Sequence, residues 1–351
     1  MPRTTSSPRR RTLQDVADAV GLSVNTVSRA LRDASGVSDA ARERIKAEAQ
    51  RLGYVPNAHA RSLVLGSHKM IGVILTDLAN PFFNDLVTEI EEQTIAAGYT
   101  IVLLLSDEDP EREQDAVDTA LQSGVDGILA VPVQGRNNPW SAVVHAGVPL
   151  VLMAREMPGL DVDLYSTDNE AGRIMTTEAA LSHGARDIVL LEEDLRISTV
   201  THRLDAYRKV LEAHGIPFDS KRIAAVPSRR TARGASLWRG EDAYRVVSDL
   251  LDTGRLPDAF LVGNDYFALG LYAALRERGI RVPDDVVVIG WGDYPFSRYL
   301  DPPLSTLRLP AVDVARLATT RLLSLLDGTA EPGPVVEYIP PELILRASTQ
   351  R

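Results

Sequence analysis

One short segment near the N-terminus carries side chains that suit the reading of DNA bases. Asn25, Arg29 and Arg32 recur at intervals of four and three residues, which places them on one face of a helix. Arginine donates two hydrogen bonds to the O6 and N7 atoms of guanine, and asparagine pairs similarly with adenine. Thr26 and Ser28 flank this face with hydroxyls that reach phosphates. The segment is typical of a helix that enters a major groove, but a small helical bundle with a solvated polar face shows the same pattern.

The elements around this segment are predicted to be three short helices. Thr12 followed by Asp15 forms a capping signature for the first helix. Gly21 supplies the positive φ that a tight turn needs, and Ser23 is a suitable N-cap for the second helix. The third helix is expected to begin near Ser38. Two short helices joined by a glycine-containing turn are the helix-turn-helix arrangement.

The charge of the chain is divided unevenly along its length. Residues 1–65 contain 11 Lys and Arg against 6 Asp and Glu, a net of +5, whereas the other 286 residues contain 27 against 42, a net of −15. Residues 1–11 are polar and basic, and we interpret them as a flexible arm. A basic head on an acidic body is expected when one end of a protein contacts a polyanion.

Composition excludes several other classes of function. The chain has no cysteine, which rules out disulfides, thiolate metal sites and a cysteine nucleophile. No apolar run approaches the length of a membrane span, and the N-terminus lacks a secretory signal, so we expect a cytoplasmic protein. Gly-rich nucleotide loops, G-x-S-x-G and H-E-x-x-H are missing, and the six histidines are dispersed. We therefore predict no enzyme activity, no catalytic residue, no cofactor and no metal. The acidic run at 192–194 is interpreted as a solvated loop.

The N-terminal segment closely resembles the headpiece of the LacI/GalR family of bacterial regulators. The resemblance covers Thr12–Leu63 and includes V-A-x-x-x-G-L-S-x-x-T-V-S-R-x-L from Val16 and L-G-Y-x-P-N-x-x-A-R-S-L from Leu52. It favours a helix-turn-helix domain at 12–56 over the simple bundle, and it implies a hinge helix and linker at 57–67. The DNA-binding residues that follow from it are Thr12, Ser23, Val24, Asn25, Thr26, Ser28, Arg29, Asn57, Ala60, Arg61 and Leu63.

The same resemblance assigns particular roles within that set. Val24, Asn25 and Arg29 match the positions that read bases, and the positions that contact the DNA backbone or cap helices are matched by Ser23, Thr26, Ser28 and Asn57. Leu63 matches a leucine that family members wedge into the minor groove at the operator centre. Wedging an apolar side chain between base pairs unstacks them and allows a kinked duplex to wrap more protein surface.

Residues 68–351 are predicted to form an α/β core of two doubly wound parallel-sheet lobes. Continuous apolar runs alternate with amphipathic helical stretches, which is typical of strands buried on both faces. STDNEAG, FLVGNDYFALGLYAALRERG and DVVVIGWGD resemble landmarks of the family's core, which is similar to periplasmic sugar-binding proteins. The expected N-lobe covers about 68–162 and 294–325, and the C-lobe about 163–293 and 326–351. The three crossings between lobes are then expected near 161–165, 292–296 and 324–328.

Polar and aromatic side chains follow several predicted strands, where parallel sheets form ligand crevices. The resemblance places a ligand between the lobes, and Arg203 matches a family arginine that grips hydroxyls or a carboxylate. The expected effector-binding residues are Asn80, Phe82, Phe83, Arg155, Arg203, Asn264, Asp265, Trp291 and Asp293. Three alternatives stay open: one phenylalanine is core, Asp265 caps the following helix, and Arg155 pairs with Glu156 or another neighbour.

Two positions depart from the family pattern. Many sugar-sensing relatives have an acid where this chain has Ala154, and another where it has Gly292. Carboxylates grip pairs of hydroxyls through charge-assisted hydrogen bonds, so losing both argues against a typical sugar contact. The alternatives are a ligand with fewer hydroxyls, a different mode of binding, or no effector.

The sequence therefore predicts a DNA-binding transcriptional regulator, most simply a repressor controlled by a sugar or related metabolite. Its expected partners are double-stranded operator DNA, a small-molecule effector and a second copy of the chain, with no membrane. The homodimer is expected because no leucine-heptad tail follows ELILRAST. The alternative is a solute-binding protein without a DNA function, which the core alone would support.

Overall fold

The computed structural model describes residues 11–54, 67–135, 138–227 and 240–350. The chain divides into two compact units, residues 1–68 and 69–351. Most of the predicted arm and the predicted hinge helix lie outside the described residues. No helix in the described ranges is long and apolar enough to cross a bilayer.

The first unit contains the three predicted helices: α1 (Leu13–Val20), α2 (Val24–Leu31) and α3 (Asp39–Arg51). Gly21 ends α1 with a φ of 67°, in the left-handed region that favours glycine. The inner faces of the helices meet in one buried apolar cluster: Val16, Ala17, Val20, Val27, Ala30, Ile45 and Ala49. Burial of these faces leaves the polar side of α2 outside, as the spacing predicts.

The second unit alternates strands and helices along its length. Its elements are β1 (Met70–Leu75), α4 (Pro81–Ala96), β2 (Thr100–Leu105), α5 (Pro110–Gln122), β3 (Gly127–Ala130), α6 (Trp140–His145), β4 (Leu150–Met153), β5 (Asp163–Thr167), α7 (Asn169–Ser182), β6 (Ile188–Glu193), α8 (Ser198–Ala213), β7 (Ile223–Val226), α9 (Gly240–Asp252), β8 (Ala259–Val262), α10 (Asp265–Glu277), β9 (Val287–Gly292), β10 (Ser305–Arg308), α11 (Ala311–Leu326), β11 (Val336–Ile339) and β12 (Glu342–Ile344).

These strands form two six-stranded sheets, one in each lobe. The first has the order β11-β5-β4-β3-β1-β2, and all of its strands are parallel. The second has the order β12-β10-β9-β8-β6-β7, with β12 antiparallel to β10. The central strands are buried on both faces because helices cover both sides of each sheet. The two-lobed α/β fold is confirmed, with one antiparallel edge strand that an all-parallel prediction misses.

The predicted lobe boundaries are wrong at each crossing. β5 pairs with β4 and β11, so the first lobe extends through Thr167. β10 pairs with β9, so the second lobe extends through Arg308. The next helix, α11, packs its buried face with the first lobe's core, and the last crossing follows β11. The chain therefore crosses near residues 168, 309 and 340 instead of near 163, 294 and 326.

Candidate DNA-reading face and ligand cleft

The outer face of α2 presents the predicted base-reading pair. Asn25 and Arg29 are exposed one helical turn apart, and Val24 is half-buried beside them. Arg29 Nη2 donates to the carbonyl oxygen of Ser35 in the loop after α2. A guanidinium carries five N–H donors, so this contact leaves donors for a base edge. The carbonyl of Ser35 therefore orients Arg29 and leaves its other N–H donors available.

The predicted phosphate-contacting hydroxyls at the ends of the helices act as caps. Ser23 Oγ accepts from the backbone N–H of Thr26 at 3.1 Å, and the two hydroxyls lie 2.8 Å apart. Thr12 Oγ1 accepts from Asp15 N at 3.3 Å, while Thr12 N donates back to Asp15 Oδ2 at 2.7 Å. Ser28 is half-buried on α2. These caps hold the first turns of α1 and α2, whose N-terminal N–H groups favour phosphate.

The rest of the predicted DNA-contacting set lies in the hinge segment. Asn57, Ala60, Arg61 and Leu63 are outside the described residues. Their roles stay predictions from the family resemblance.

Within the core, a narrow cleft separates the two lobes and has a volume of about 80 Å³. Seven of the nine predicted effector residues line it. Its lining is Asn80, Phe82, Phe83, Ala154, Arg155, Thr167, Asn169, Glu193, Ile197, Thr199, Arg203, Gly263, Asn264, Trp291, Tyr294 and Leu309. Phe82 and Phe83 also belong to the apolar core of the first lobe, so these rings pack in the core and line the cleft at the same time.

Asp265 does not line the cleft, and its predicted role as an effector residue is wrong. Its carboxylate is fully buried and accepts from Trp291 N, Ser297 Oγ and Thr306 Oγ1 at 2.6–2.8 Å. A fourth donor, Tyr294 N, lies at 3.3 Å. Burial raises the pKa of this carboxyl although all four hydrogen bonds oppose the shift. The alternative role as a helix cap is also wrong, because the neighbouring Asn264 caps α10.

Asp293 is also outside the cleft, in contrast to its prediction. It forms ion pairs with Arg308 and Arg346 at 2.8 and 2.6 Å. These contacts, with those of Asp265, tie the segment after β9 to β10. They also explain why residues 294–308 stay with the second lobe.

Arg155 lies in the cleft wall, but its charge is already paired. Its Nη1 donates to Glu108 Oε2 at 2.9 Å, and its Nη2 donates to the other carboxylate oxygen. Both side chains are at least nine-tenths buried. The alternative of an ion pair with a neighbour is therefore the observed one, although the partner is Glu108 and not Glu156.

Trp291 lies within β9, not after it, and two arginine side chains lie close to its ring. The guanidinium carbons of Arg173 and Arg203 lie 4.7 and 5.0 Å from its ring centroid. Both arginines also donate to Glu192, at 3.3 and 2.9 Å. Such stacking is favourable because the ring face is electronegative, and more so where water is excluded.

Glu193 is a cleft residue that sequence reasoning missed. The acidic run at 192–194 was expected to be a solvated loop, but Glu192 and Glu193 are 1% and 8% exposed at the end of β6. Burial raises the pKa of Glu193 to about 8, although Arg203 opposes this shift. The signal that could have found it is its place at the carboxyl end of a buried strand.

Tyr294 is the second cleft residue that was missed. Its hydroxyl donates to Asn80 Oδ1 in the first lobe at 2.7 Å and accepts from Asn264 Nδ2 at 3.0 Å. The Tyr294 ring also explains why position 292 lacks the acid that many relatives have there. Gly292 has a φ of 139°, and a Cβ there would lie 2.6 Å from the Tyr294 ring, so an acid at 292 is sterically excluded.

A further contact joins the lobes beside the cleft. Gln134 of the first lobe accepts from Ser198 N at the start of α8 and donates to Ser198 Oγ at 3.0 Å. His202 Nε2 of α8 lies 3.6 Å from Glu156 Oε1 of the first lobe. These contacts join the two lobes in addition to the hydrogen bond between Tyr294 and Asn80.

Comparison with known proteins agrees with both parts of this architecture. Residues 12–57 match the family described as bacterial regulatory proteins, lacI family. Residues 177–349 match a periplasmic binding protein-like domain.

Full-length relatives extend the match to nearly the whole chain. The HTH-type transcriptional repressor PurR of Histophilus somni (strain 129Pt) is 27% identical over 342 residues, 97% of this chain and 99% of that protein. The ribose operon repressor of Haemophilus influenzae is 29% identical over 339 residues, 96% of this chain and 98% of the relative. The crystal structure of the lac repressor dimer bound to operator and the anti-inducer ONPF has a TM-score of 0.82 at 28% identity, and the match covers 97% of this chain and 99% of that one.

The fold and the two sites define a transcriptional regulator with a helix-turn-helix headpiece and a periplasmic-binding-protein-like core. Within that class, residues 12–57 form a helix-turn-helix domain of the lacI family of bacterial regulatory proteins, and the resemblance predicted from the sequence is confirmed.

Proposed function

We propose that this protein is a sequence-specific repressor whose affinity for operator DNA is set by a small molecule bound in the cleft between the core lobes. The observation that carries the proposal is the exposed Asn25–Arg29 pair on α2. Both side chains match bidentate base readers, and the helix that holds them is short, capped and packed on a separate small core.

The assembly we propose is a homodimer on a pseudo-palindromic operator. The lac repressor structure contains a dimer bound to operator, and two-fold symmetry of a protein is mirrored in its DNA half-sites. Residues 57–65 would order as hinge helices on DNA, with Leu63 of each copy in the minor groove. Control by a ligand is supported by the seven predicted effector residues that line the cleft between the lobes.

The link between the two sites is the equilibrium between lobe arrangements. A ligand that binds one arrangement more tightly shifts the population, and DNA must change ligand affinity by the same factor. The proposal assigns no catalytic step to the chain and places it in the cytoplasm, where the DNA is. A solute-binding function without DNA is opposed by the headpiece match.

Selection from randomised duplex DNA tests this function. Full-length protein is expected to enrich a pseudo-palindromic sequence, and a variant combining Asn25→Ala with Arg29→Ala is expected to lose that enrichment. Arg281→Ala, which replaces an exposed side chain in the second unit, is the matched control. Equal retention of all sequences by the unmodified protein would refute the proposal.

A further inference from the structure

The cleft contains the carboxylate of Glu193, to which no group in the described part of the chain donates a hydrogen bond. The Glu193 side chain is 6% exposed and lines the cavity. Among the described residues, its carboxylate accepts no hydrogen bond, and its nearest cation is Arg203 at 3.9 Å. Buried carboxylates normally have partners because desolvation is costly without them.

The charged side chains near Glu193 do not supply the missing hydrogen bonds. Arg203 donates to Glu192 and to the carbonyl of Gly263, and Arg155 is committed to Glu108. Glu192 and Glu108 themselves disfavour a further negative charge beside Glu193. The acceptor at Glu193 therefore stays available inside the cleft.

A donor is left without a partner in the same wall. Arg203 Nε is buried and has no hydrogen-bond partner in the described structure. A hydroxyl both donates and accepts, so it can serve a carboxylate and a guanidinium together. A ligand carboxylate or phosphate only accepts, so it offers no donor to the Glu193 oxygens and is repelled when Glu193 is ionised. The remaining lining is largely aromatic or uncharged, including Phe82, Trp291 and Tyr294.

We propose that Glu193 determines effector specificity by accepting hydrogen bonds from an uncharged, hydroxyl-bearing ligand, and that it excludes anionic ligands. This inference rests on the cleft being the effector site. Glu193, at the end of β6, would then supply the acidic side chain that many sugar-sensing relatives have at the positions of Ala154 and Gly292. At position 292 the Tyr294 ring occupies the space that a side chain would need.

Matched ligands on common scaffolds test the ligand class. The probes are glucose, glucuronate and glucose 6-phosphate, with ribose and ribose 5-phosphate, and adenosine and its monophosphate. Thermal shift and calorimetry on the full-length protein measure binding. A neutral member is expected to bind at least about tenfold more tightly than its anionic counterparts. Tighter binding by an anionic member, or no binding by any neutral one, overturns the ligand class.

Glu193→Gln tests the residue, with the exposed Glu212→Gln on the same lobe as the control. Glu193→Gln is expected to weaken the neutral hit about tenfold or more, because a charge-assisted hydrogen bond is lost. Affinity of the unmodified protein should rise from pH 6 to pH 8 as ligand binding favours the ionised carboxyl, whereas that of the variant should not. Equal affinity and equal pH dependence in both proteins overturn the role of Glu193. Failure of the repressor function itself would instead appear in the DNA selection, which uses no ligand.

Discussion

The Tyr294 hydroxyl donates to Asn80 Oδ1 at 2.7 Å, and this bond joins one lobe to the other across the cleft. Asn80 also caps α4, and Asn264, which donates to the same hydroxyl, caps α10. One buried phenol therefore connects the first turns of two helices in different lobes. The relative position of the lobes is coupled to groups that line the cleft.

Tyr294→Phe is expected to weaken the contact between the lobes. The change removes the hydroxyl and leaves two buried amides with one partner fewer, which should lower the free energy of unfolding by about 1–2 kcal/mol. Chemical denaturation measures this loss, and small-angle X-ray scattering should show a more open core. Tyr299→Phe is the control because Tyr299 is 81% exposed. Identical scattering from Tyr294→Phe and the unmodified protein would show that the hydroxyl does not hold the lobes.

Asp265→Ala is expected to destabilise the second lobe strongly. Four donors lose their shared buried acceptor, among them the backbone N–H groups of Trp291 and Tyr294. The expected cost is roughly 3 kcal/mol, measured by urea denaturation. Asp252→Ala removes an exposed ion pair with Arg278 and should cost less than about 1 kcal/mol. A loss at Asp265 no larger than the loss at Asp252 contradicts the structural role.

Glu193→Gln is expected to stabilise the ligand-free protein at neutral and alkaline pH. The folded-state pKa, about 8, is above the ordinary value of 4.5, so the unfolded chain releases this proton first. The contribution to stability is therefore complete below pH 4.5 and is lost as the pH rises to about 8.

The free energy of unfolding that Glu193→Gln gains over the unmodified protein should grow between pH 4.5 and about pH 8. At its steepest it should grow by about 1 kcal/mol per pH unit. Urea denaturation at pH 5, 6, 7 and 8 measures the difference from the unmodified protein. Glu212→Gln should show no such trend. A constant difference for Glu193→Gln would mean that the folded protein does not bind the proton more tightly than the unfolded chain.

Arg29→Ala is expected to relax one position in each operator half-site. Loss of a bidentate contact to guanine costs about 1–3 kcal/mol against the correct base only. Binding to a panel of singly substituted operators measures the change in preference. Arg51→Ala is the control, since Arg51 pairs with Glu48 on α3. An equal loss on every operator of the panel would make Arg29 a phosphate contact.

Much of the fold follows from apolar patterning in the sequence. The strands β1, β2 and β4 are continuous apolar runs, which is the pattern that the sequence analysis used to predict parallel sheets. β5 reads DLYST and β10 reads STLR, so neither has that signal, although tertiary hydrogen bonds hold both in their sheets. The lobe boundaries were wrong for this reason, because both strands lie at crossings.

The site was less predictable than the fold. Position after a strand indicated Asn80 and Asn264, and both line the cleft. The same rule could not separate Asp265, which hydrogen bonds turn away from the cleft, from Glu193, which faces it. That distinction depends on which donors surround each carboxylate, and those donors come from segments distant in sequence.

The two guanidinium groups close to the Trp291 ring make this side chain a built-in optical sensor. Indole emission responds to nearby charge and to water, and this ring is 3% exposed in the cleft wall while Trp140 is fully buried in the other lobe. Opening of the lobes would admit solvent to Trp291 and redden its fluorescence, over the emission of Trp140 and of Trp238, which lies outside the described residues. Effector screening in this protein can therefore proceed by emission spectroscopy without an attached dye.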